Sequence, residues 1–567
     1  MTKTRSAAPH AIEINPGFRR ALDIMEGMDR HVFITGKAGT GKSTLLELWR
    51  SKTLKRIAVL APTGVAALNV RGQTIHSFFG FKPDVTPDSV RKLSKSRARG
   101  AGGTDRAAIY RNLDAVVIDE VSMVRADLLD CVEKFLRLNG PRPKEWFGGL
   151  QMIFIGDLYQ LPPVVTSRES GLFARAAPAF RPSPAVPFRR AQDDRTASNP
   201  GLTASTARYE SPYFFSAKIF GELTFDMDFV ELEKVYRQTD PAFINLLNAI
   251  RNRSVDDGQI VHLNSRLRPS FSPPDGEFYI TLTSTNDLAA VRNREMLASL
   301  PGRAHRYEGF IQGSFDRSSL PTEESLELKP GAQVMLLTND RKGRWVNGTI
   351  GRVDEIVKVP DGDDIVSVDL PDAGRVELAP NTWDLYRFRY EAESDRIESE
   401  SVGSFTQYPL RLAWAVTIHK SQGKTFDRVV IDIGRGAFAH GQVYVALSRC
   451  TSFEGLVLKT PIRKSHIWMD WRIVRFLTRF QYKKAEEKLP AADKRALVLE
   501  AIRAGRELEI VYLKPDDTKS RRRIRPEAVE MMEYHGRTFE GVRAYCHKRG
   551  ECRTFRLDRM LEVRETD

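Results

Sequence analysis

The run Gly36-Lys37-Ala38-Gly39-Thr40-Gly41-Lys42-Ser43-Thr44 constrains this chain more than any other feature. It follows an apolar, β-branched stretch, His31 to Thr35, and leads into Leu45-Leu46-Glu47-Leu48-Trp49, which reads as a helix. Strand, glycine loop and helix in that order make a phosphate cradle. Gly36, Gly39 and Gly41 let the backbone turn tightly enough to aim several N–H groups at one anion, and the helix N-terminus adds partial positive charge. Lys42 is placed to reach the β- and γ-phosphates, while Ser43, followed by Thr44, offers a hydroxyl to Mg²⁺. The chain is thereby committed to nucleotide chemistry, with ATP and Mg²⁺ as the expected cofactors.

Two further strands end in residues suited to the same chemistry. Asp114-Ala115-Val116-Val117-Ile118 reads as a buried parallel strand and runs into Asp119-Glu120-Val121-Ser122-Met123. An acid at that carboxyl end can hold hydrated Mg²⁺, the role given to Asp119; the next, Glu120, can polarise the attacking water. Leu150 to Ile155 reads as a third strand and ends in Gly156-Asp157-Leu158-Tyr159-Gln160-Leu161-Pro162-Pro163. Gln160 is neutral and bidentate, so it can read a γ-phosphate or the attacking water.

Composition supplies a partner. Among 567 residues the formal net charge is +14, which points to a polyanion, although a basic surface alone also fits. The hydrophobic share of 41% fits a globular protein, and no uninterrupted apolar run is long enough to cross a bilayer. The first ten residues lack a secretory apolar stretch. Four scattered cysteines, Cys131, Cys450, Cys546 and Cys552, make no disulfide framework, so a cytoplasmic setting is expected.

The ordered motifs make the chain resemble a Pif-type superfamily-one DNA helicase from about Ile12 to Lys459. Beside the phosphate loop, the DEVSM and GDLYQLPPV segments carry the resemblance. So do Ala61 to Ala67, Thr74 to Phe79, Val235-Tyr236-Arg237-Gln238, Thr417 to Thr425 and Val443 to Arg449. It implies two RecA-like motors, ATP-driven movement 5′ to 3′ on single-stranded DNA, and unwinding of duplex or structured DNA in genome maintenance. Duplex or G-quadruplex junctions are the expected partners, with no membrane, and the translocating form is expected to be monomeric. Arg237 and Arg449 lie far from the phosphate loop in sequence, as suits cationic fingers offered by a second domain across a closing cleft. By resemblance Tyr236 stacks on the adenine, with core packing as the alternative; Gly423 belongs to a motif beside the nucleotide. Related helicases carry a glutamine upstream of the phosphate loop that reads the adenine edge. The stretch Glu13 to Arg19 has none; Asn15 offers the same donor–acceptor pair on a shorter arm.

Pro62, Thr63, Gly64 and His76 in the first motor, and Thr417, His419 and Lys420 in the second, suit the backbone of a single strand laid across both. Phe78 and Phe79 either stack on bases or lie buried beneath their loop.

Organisation follows the motifs. The fold class is α/β: a first RecA-like motor at residues 1–226 and a second at 227–459, with parallel sheets, an SH3-like β-barrel inserted at 328–409, and a small C-terminal β-barrel. Residues 81–108 form a basic insertion, either the wedge implied by the resemblance or a solvated loop. Residues 166–211, rich in Ala, Pro, Arg and Ser, read as a flexible insertion. After a connector at 460–493, residues 494–567 resemble the WYL domain, a ligand- or nucleic-acid-sensing appendage. Among its arginines, Arg525, Arg543, Arg553, Arg556 and Arg559, several either line one anion-binding face or pair with local acids. Arg553 and Arg556 are the expected DNA contacts, and the domain is expected to modulate DNA binding and coupling. A second function class, a sensing ATPase switch without strand separation, is distinguished by an unwinding assay.

Overall fold

The fold is known as a computed structural model that describes residues 14–27, 30–93, 107–166, 169–173, 208–238, 240–274, 276–340, 342–434, 440–514, 519–534 and 537–566. Six parallel strands form the first motor sheet, in the order Gln73–Thr74, Ile57–Ala61, Ala115–Ile118, Gln151–Ile155, His31–Gly36, Met227–Leu232. Its central strands are buried and mainly apolar because both faces are covered. On one face Val32, Val59, Val117 and Ile153 pack with Phe18 of the helix Pro16–Glu26 and with Leu45, Leu46 and Trp49 of the helix Lys42–Arg50. Every motif residue of this motor lies at the carboxyl edge, where a parallel sheet gathers the loops that leave its strands.

The boundary between the motors differs from the expected one. Residues 227–232, assigned above to the second motor, form an edge strand of the first sheet, paired in parallel from His31↔Met227 to Gly36↔Leu232. Val230 and Leu232 belong to the first motor's core, so the chain leaves that sheet only after Leu232. The second motor sheet is smaller: Ala415–Thr417, Ile280–Thr283, Val429–Asp432 and Leu456–Leu458, all parallel.

The insertion also starts earlier than residue 328. His305–Glu308 pairs with Ser325–Leu328, and Phe310–Gly313 joins Arg396–Gln407, so antiparallel structure begins soon after the helix Asn286–Ser299. Five antiparallel strands carry its core, in the order Gly374–Leu378, Ile365–Leu370, Ile350–Val357, Gln333–Leu336, Leu410–Leu412. The long hairpin Asn381–Glu391 with Arg396–Gln407 extends from this module onto the first motor. There the Phe388 N–H donates to Gln73 Oε1 at 3.1 Å, Arg56 pairs with Asp395 at 2.8 Å, and the Phe388 ring meets Phe78 edge-on at 6.0 Å.

Residues 94–106 of the basic insertion, and 167–168 and 174–207 of the flexible one, lie outside the described residues. At the margins of the latter, Arg125 pairs with Glu169, and Phe173 bridges to Tyr209.

The chain divides into two compact units, one holding both motor sheets and the insertion, the other built around residues 468–567. In the second unit five antiparallel strands run Glu551–Arg556, Arg537–Cys546, Lys519–Tyr534, Leu508–Leu513, Met560–Glu565. Val498 and Ala501 of the helix Ala491–Ala504 close its core, and Gly505 ends that helix in the left-handed conformation (φ 65). The connector is not a passive linker. Its helix Trp471–Lys488 packs Tyr482 and Ala485 against Leu513 and Leu561 of the sheet.

Phe78 is 6% and Phe79 4% exposed, within a cluster that includes Tyr110, Phe135 and Phe388. Phe78 therefore takes the buried alternative and not the expected DNA contact: its ring is closed in by other rings and has no free face for a base. Phe78→Ala is expected to cost about 3–5 kcal/mol as a core truncation. That loss should appear as a lowered unfolding temperature, with single-stranded DNA affinity of the folded fraction unchanged.

Candidate functional site

The phosphate loop is shaped by Gly39 and Gly41, both left-handed at φ 78 and φ 84. At Gly39 space matters as much as dihedral angle, since a Cβ there would collide with Cβ of Arg237. The Tyr236 N–H donates to Gly39 O at 2.8 Å, so the Val235–Gln238 segment lies directly on the loop. Lys42 folds back within it, donating to Gly36 O at 2.7 Å and Lys37 O at 3.1 Å, the carbonyls nearest to where phosphates bind. Ser43 and Thr44 stand exposed at the start of the helix. The Ala38 N–H donates to the Tyr444 hydroxyl at 3.1 Å, a contact made by the second motor.

Asp119 and Glu120 follow the strand Ala115–Ile118, and Glu120 takes a left-handed conformation (φ 50, ψ 42). Such a backbone is costly for a residue with a Cβ and aims the carboxylate off the strand end. Burial raises the pKa of both acids. For Glu120, desolvation first and Asp119 second push it up to about 7, against the pull of Lys42 and Arg449. For Asp119, burial outweighs the backbone hydrogen bond at Glu120 and the charge of Lys42.

The third strand end delivers Gln160, 6% exposed, whose Nε2 donates to Asp157 Oδ2 at 3.2 Å. Gln422 of the second motor then joins these groups across the cleft. Its Nε2 donates to Glu120 Oε2 at 3.0 Å and lies 3.3 Å from Gln160 Oε1. Gly441 (φ 71) lets the helix Gln442–Leu447 start against the carbonyls of Tyr159 and Gln160, where any side chain would clash.

The two arginines lie at different depths. Arg237 donates to Ser448 O and Gly423 O, each at 3.3 Å. Arg449 is 1% exposed and donates to Val445 O at 3.0 Å, Lys424 O at 3.2 Å and Ser448 Oγ at 3.0 Å. Its hydrogen bonds all go to second-motor groups, and burial first, then neighbouring Arg237, lowers its pKa. Gln238 fixes the segment from beneath, through Ser448 O and Cys450 O.

The structure thus brings together Lys42, Asp119, Glu120, Gln160, Arg237, Arg449 and Gly423. Sequence reasoning passed over Gln422, Tyr444 and Gln238. Each lies inside a quoted motif, and the available signal was an amide or hydroxyl between residues already assigned.

The expected DNA contacts divide. Thr63 caps the helix Gly64–Asn69, Gly64 lies against Ser319 of the insertion, and half-buried His76 lies near the Arg125–Asp127–Glu169 charges. Thr417 is buried at 4% and accepts from the Lys420 N–H at 3.2 Å, so it shapes its loop rather than facing a strand of DNA. Pro62 and His419 are partly exposed and Lys420 is exposed.

In the C-terminal unit the register places Arg525, Arg543 and Arg556 on one face of the sheet, with Gly541 and Tyr545, and Arg553 on the other. Arg553 and Arg556 are three apart on one strand and so point to opposite sides. Arg556 is 8% exposed, donates to Asp558 at 2.6 and 3.0 Å, and packs over the Phe539 ring. Arg543 pairs with Glu527 and exposed Arg553 with Glu551. Arg556 is therefore corrected from a DNA contact to a fold residue.

The PIF1-like helicase family profile matches residues 18–177, and the WYL domain profile matches 494–565. The crystal structure of Bacteroides sp Pif1 in complex with ADP-AlF4 has a TM-score of 0.68 and 31% identity, covering 83% of this chain and 98% of that one. The chain belongs to the PIF1-like helicase family. Bacteroides Pif1 bound to ssDNA has a TM-score of 0.54, with the same identity and coverage. The human ATP-dependent DNA helicase PIF1 is 33% identical over 435 residues, 75% of this chain, and the chain spans 57% of that relative's length.

The raised Glu120 pKa has a sign. In the proposed role of general base Glu120 must be deprotonated, so nucleotide hydrolysis is expected to rise as pH climbs through about 7 and then level off. The same group favours the fold while protonated and loses that contribution as pH rises through its folded pKa. Glu120→Gln is expected to abolish turnover and to flatten the fall in unfolding temperature between pH 6 and pH 8. Calorimetric scans of both proteins at the two pH values check this.

Proposed function

We propose that this PIF1-like chain is an ATP-dependent DNA helicase that moves 5′ to 3′ along single-stranded DNA. One observation carries the reading: Gln422 of the second motor reaches both Glu120 and Gln160 of the first. A base held across a cleft can act only while the cleft is set, which ties hydrolysis to domain motion. Lys42 meets the phosphates, Glu120 takes the proton of the attacking water, and Arg237 and Arg449 balance the charge of the transferring group. Mg²⁺ fits the oxygen donors Ser43 and Asp119, since a buried carboxylate with raised pKa gains from a hard cation nearby. The ion would supply charge for phosphoryl transfer.

Single-stranded DNA at duplex or G-quadruplex junctions is the proposed substrate, and a cytoplasmic monomer the proposed working form. Among the described residues no helix is long and apolar enough to cross a membrane. Pro62, His419 and Lys420 remain the proposed strand contacts.

Lys42→Ala is expected to abolish hydrolysis while single-stranded DNA binding persists. Duplexes with 5′ or 3′ tails test polarity, and unwinding from the 3′ tail alone would refute it. An ATPase that separates neither substrate would favour the sensing switch.

The C-terminal unit is proposed to modulate DNA binding and coupling. A cut near Leu489 would strip the helix Trp471–Lys488 of its sheet, so the informative truncation follows Ile467. That protein is expected to keep DNA-stimulated ATPase activity and to bind single-stranded DNA more weakly. Arg553→Glu should reproduce the weaker binding with a reduced salt slope. Arg556→Glu should instead lower the stability of the unit, as thermal unfolding will show.

A further inference from the structure

The edge of the nucleotide site where a base would lie is built unlike its phosphate end. A site that selects adenine presents a donor and an acceptor side by side to the base edge, usually from one amide side chain. The first glutamine in this chain is Gln73, and its side chain is engaged by Ser77 and by the Phe388 N–H. Asn15 is the amide upstream of the phosphate loop, and both ends of it are in use. Its Oδ1 accepts from the Phe18 N–H at 2.9 Å as the cap of the helix Pro16–Glu26. Its Nδ2 donates to the Tyr236 hydroxyl at 3.1 Å. Bidentate pairing with adenine would release both bonds and uncap the helix.

Tyr236 offers a different kind of recognition. Its ring is 42% exposed, and its backbone N–H is pinned to Gly39 O, which holds the ring beside the phosphate loop. The bond from Asn15 fixes the hydroxyl end, and Lys234 Nζ lies 5.1 Å from the ring centroid. An exposed ring face held in this way binds any base by stacking, and purines more than pyrimidines by area. Stacking does not tell adenine from guanine, whereas a buried hydrogen-bonding reader discriminates by orders of magnitude.

We infer that this motor recognises the base of its triphosphate by stacking on Tyr236 without reading its edge, so that guanosine triphosphate serves it about as well as adenosine triphosphate. The inference rests on the proposed triphosphatase reading and adds its substrate range.

The test measures equilibrium binding of the β,γ-imido analogues of ATP, GTP, CTP and UTP to the full-length protein by calorimetry, beside steady-state hydrolysis of the four triphosphates. The adenosine and guanosine analogues are expected to bind within about tenfold of each other, with pyrimidines weaker. Tyr236→Ala should weaken both purine analogues about tenfold or more and narrow their advantage over pyrimidines. Asn15→Ala should leave the adenosine-to-guanosine ratio where it was. A preference for adenosine beyond about tenfold, a ratio that collapses in Asn15→Ala, or unchanged purine affinity in Tyr236→Ala would each overturn the inference. The two readings fail separately. Strict ATP selectivity would leave the motor intact and remove base tolerance. Binding of all analogues without hydrolysis would remove the motor and leave tolerance to be decided by the binding ratios.

Discussion

Six strands running the same way place all their carboxyl ends on one edge, and the chemistry of this protein depends on that parallelism. The phosphate loop, the acid pair and Gln160 are far apart in sequence and share nothing but a position after a strand. Parallel pairing requires covered faces, so the strands must be apolar, and the polar residues are expelled to the ends. Lys42, Asp119, Glu120 and Gln160 meet because the hydrophobic effect leaves them nowhere else to lie. The left-handed backbone at Glu120 is a local cost of directing a carboxylate away from that packed edge.

Across the cleft the contacts are few and specific. Gln422 touches Glu120 and Gln160, Tyr444 meets the Ala38 N–H, and Tyr236 and Arg237 lie on Gly39. Polar bonds and close approaches at two glycines, Gly39 and Gly441, hold this face. Interfaces of that kind exchange bonds with ligand and water at modest cost, whereas apolar cores resist such exchange. Arg449 differs from Arg237 here: one is enclosed by carbonyls of its own motor, the other stands over the loop.

Local patterns made the motor legible in sequence. The strand–loop–helix at Gly36–Thr44 and the acids after Ala115–Ile118 carry their meaning within a dozen residues. Legibility ended where tertiary pairing decides. Residues 227–232 alternate like any edge strand, and only the register with His31–Gly36 assigns them to the first sheet. Phe78 beside a polar loop looks available for stacking until Tyr110, Phe135 and Phe388 arrive from distant parts of the chain. Arg553 and Arg556 differ in fate because of strand parity and one neighbouring Asp558, which arginine counting does not register. Gln422 was within a recognised motif, yet its partners are 302 and 262 residues away.

The hairpin Asn381–Gln407 has a mechanical meaning of its own. It grows from a module rooted in the second motor and grips the first through Gln73, Phe78 and Arg56. The two motors are thus joined at the cleft and again by this arm, which makes a closed linkage in place of a simple hinge. In a closed linkage no joint turns alone. A change of angle at the cleft must reappear as flexure of the arm or slippage at its grip. The stiffness of a β-ribbon therefore enters any movement of one sheet against the other.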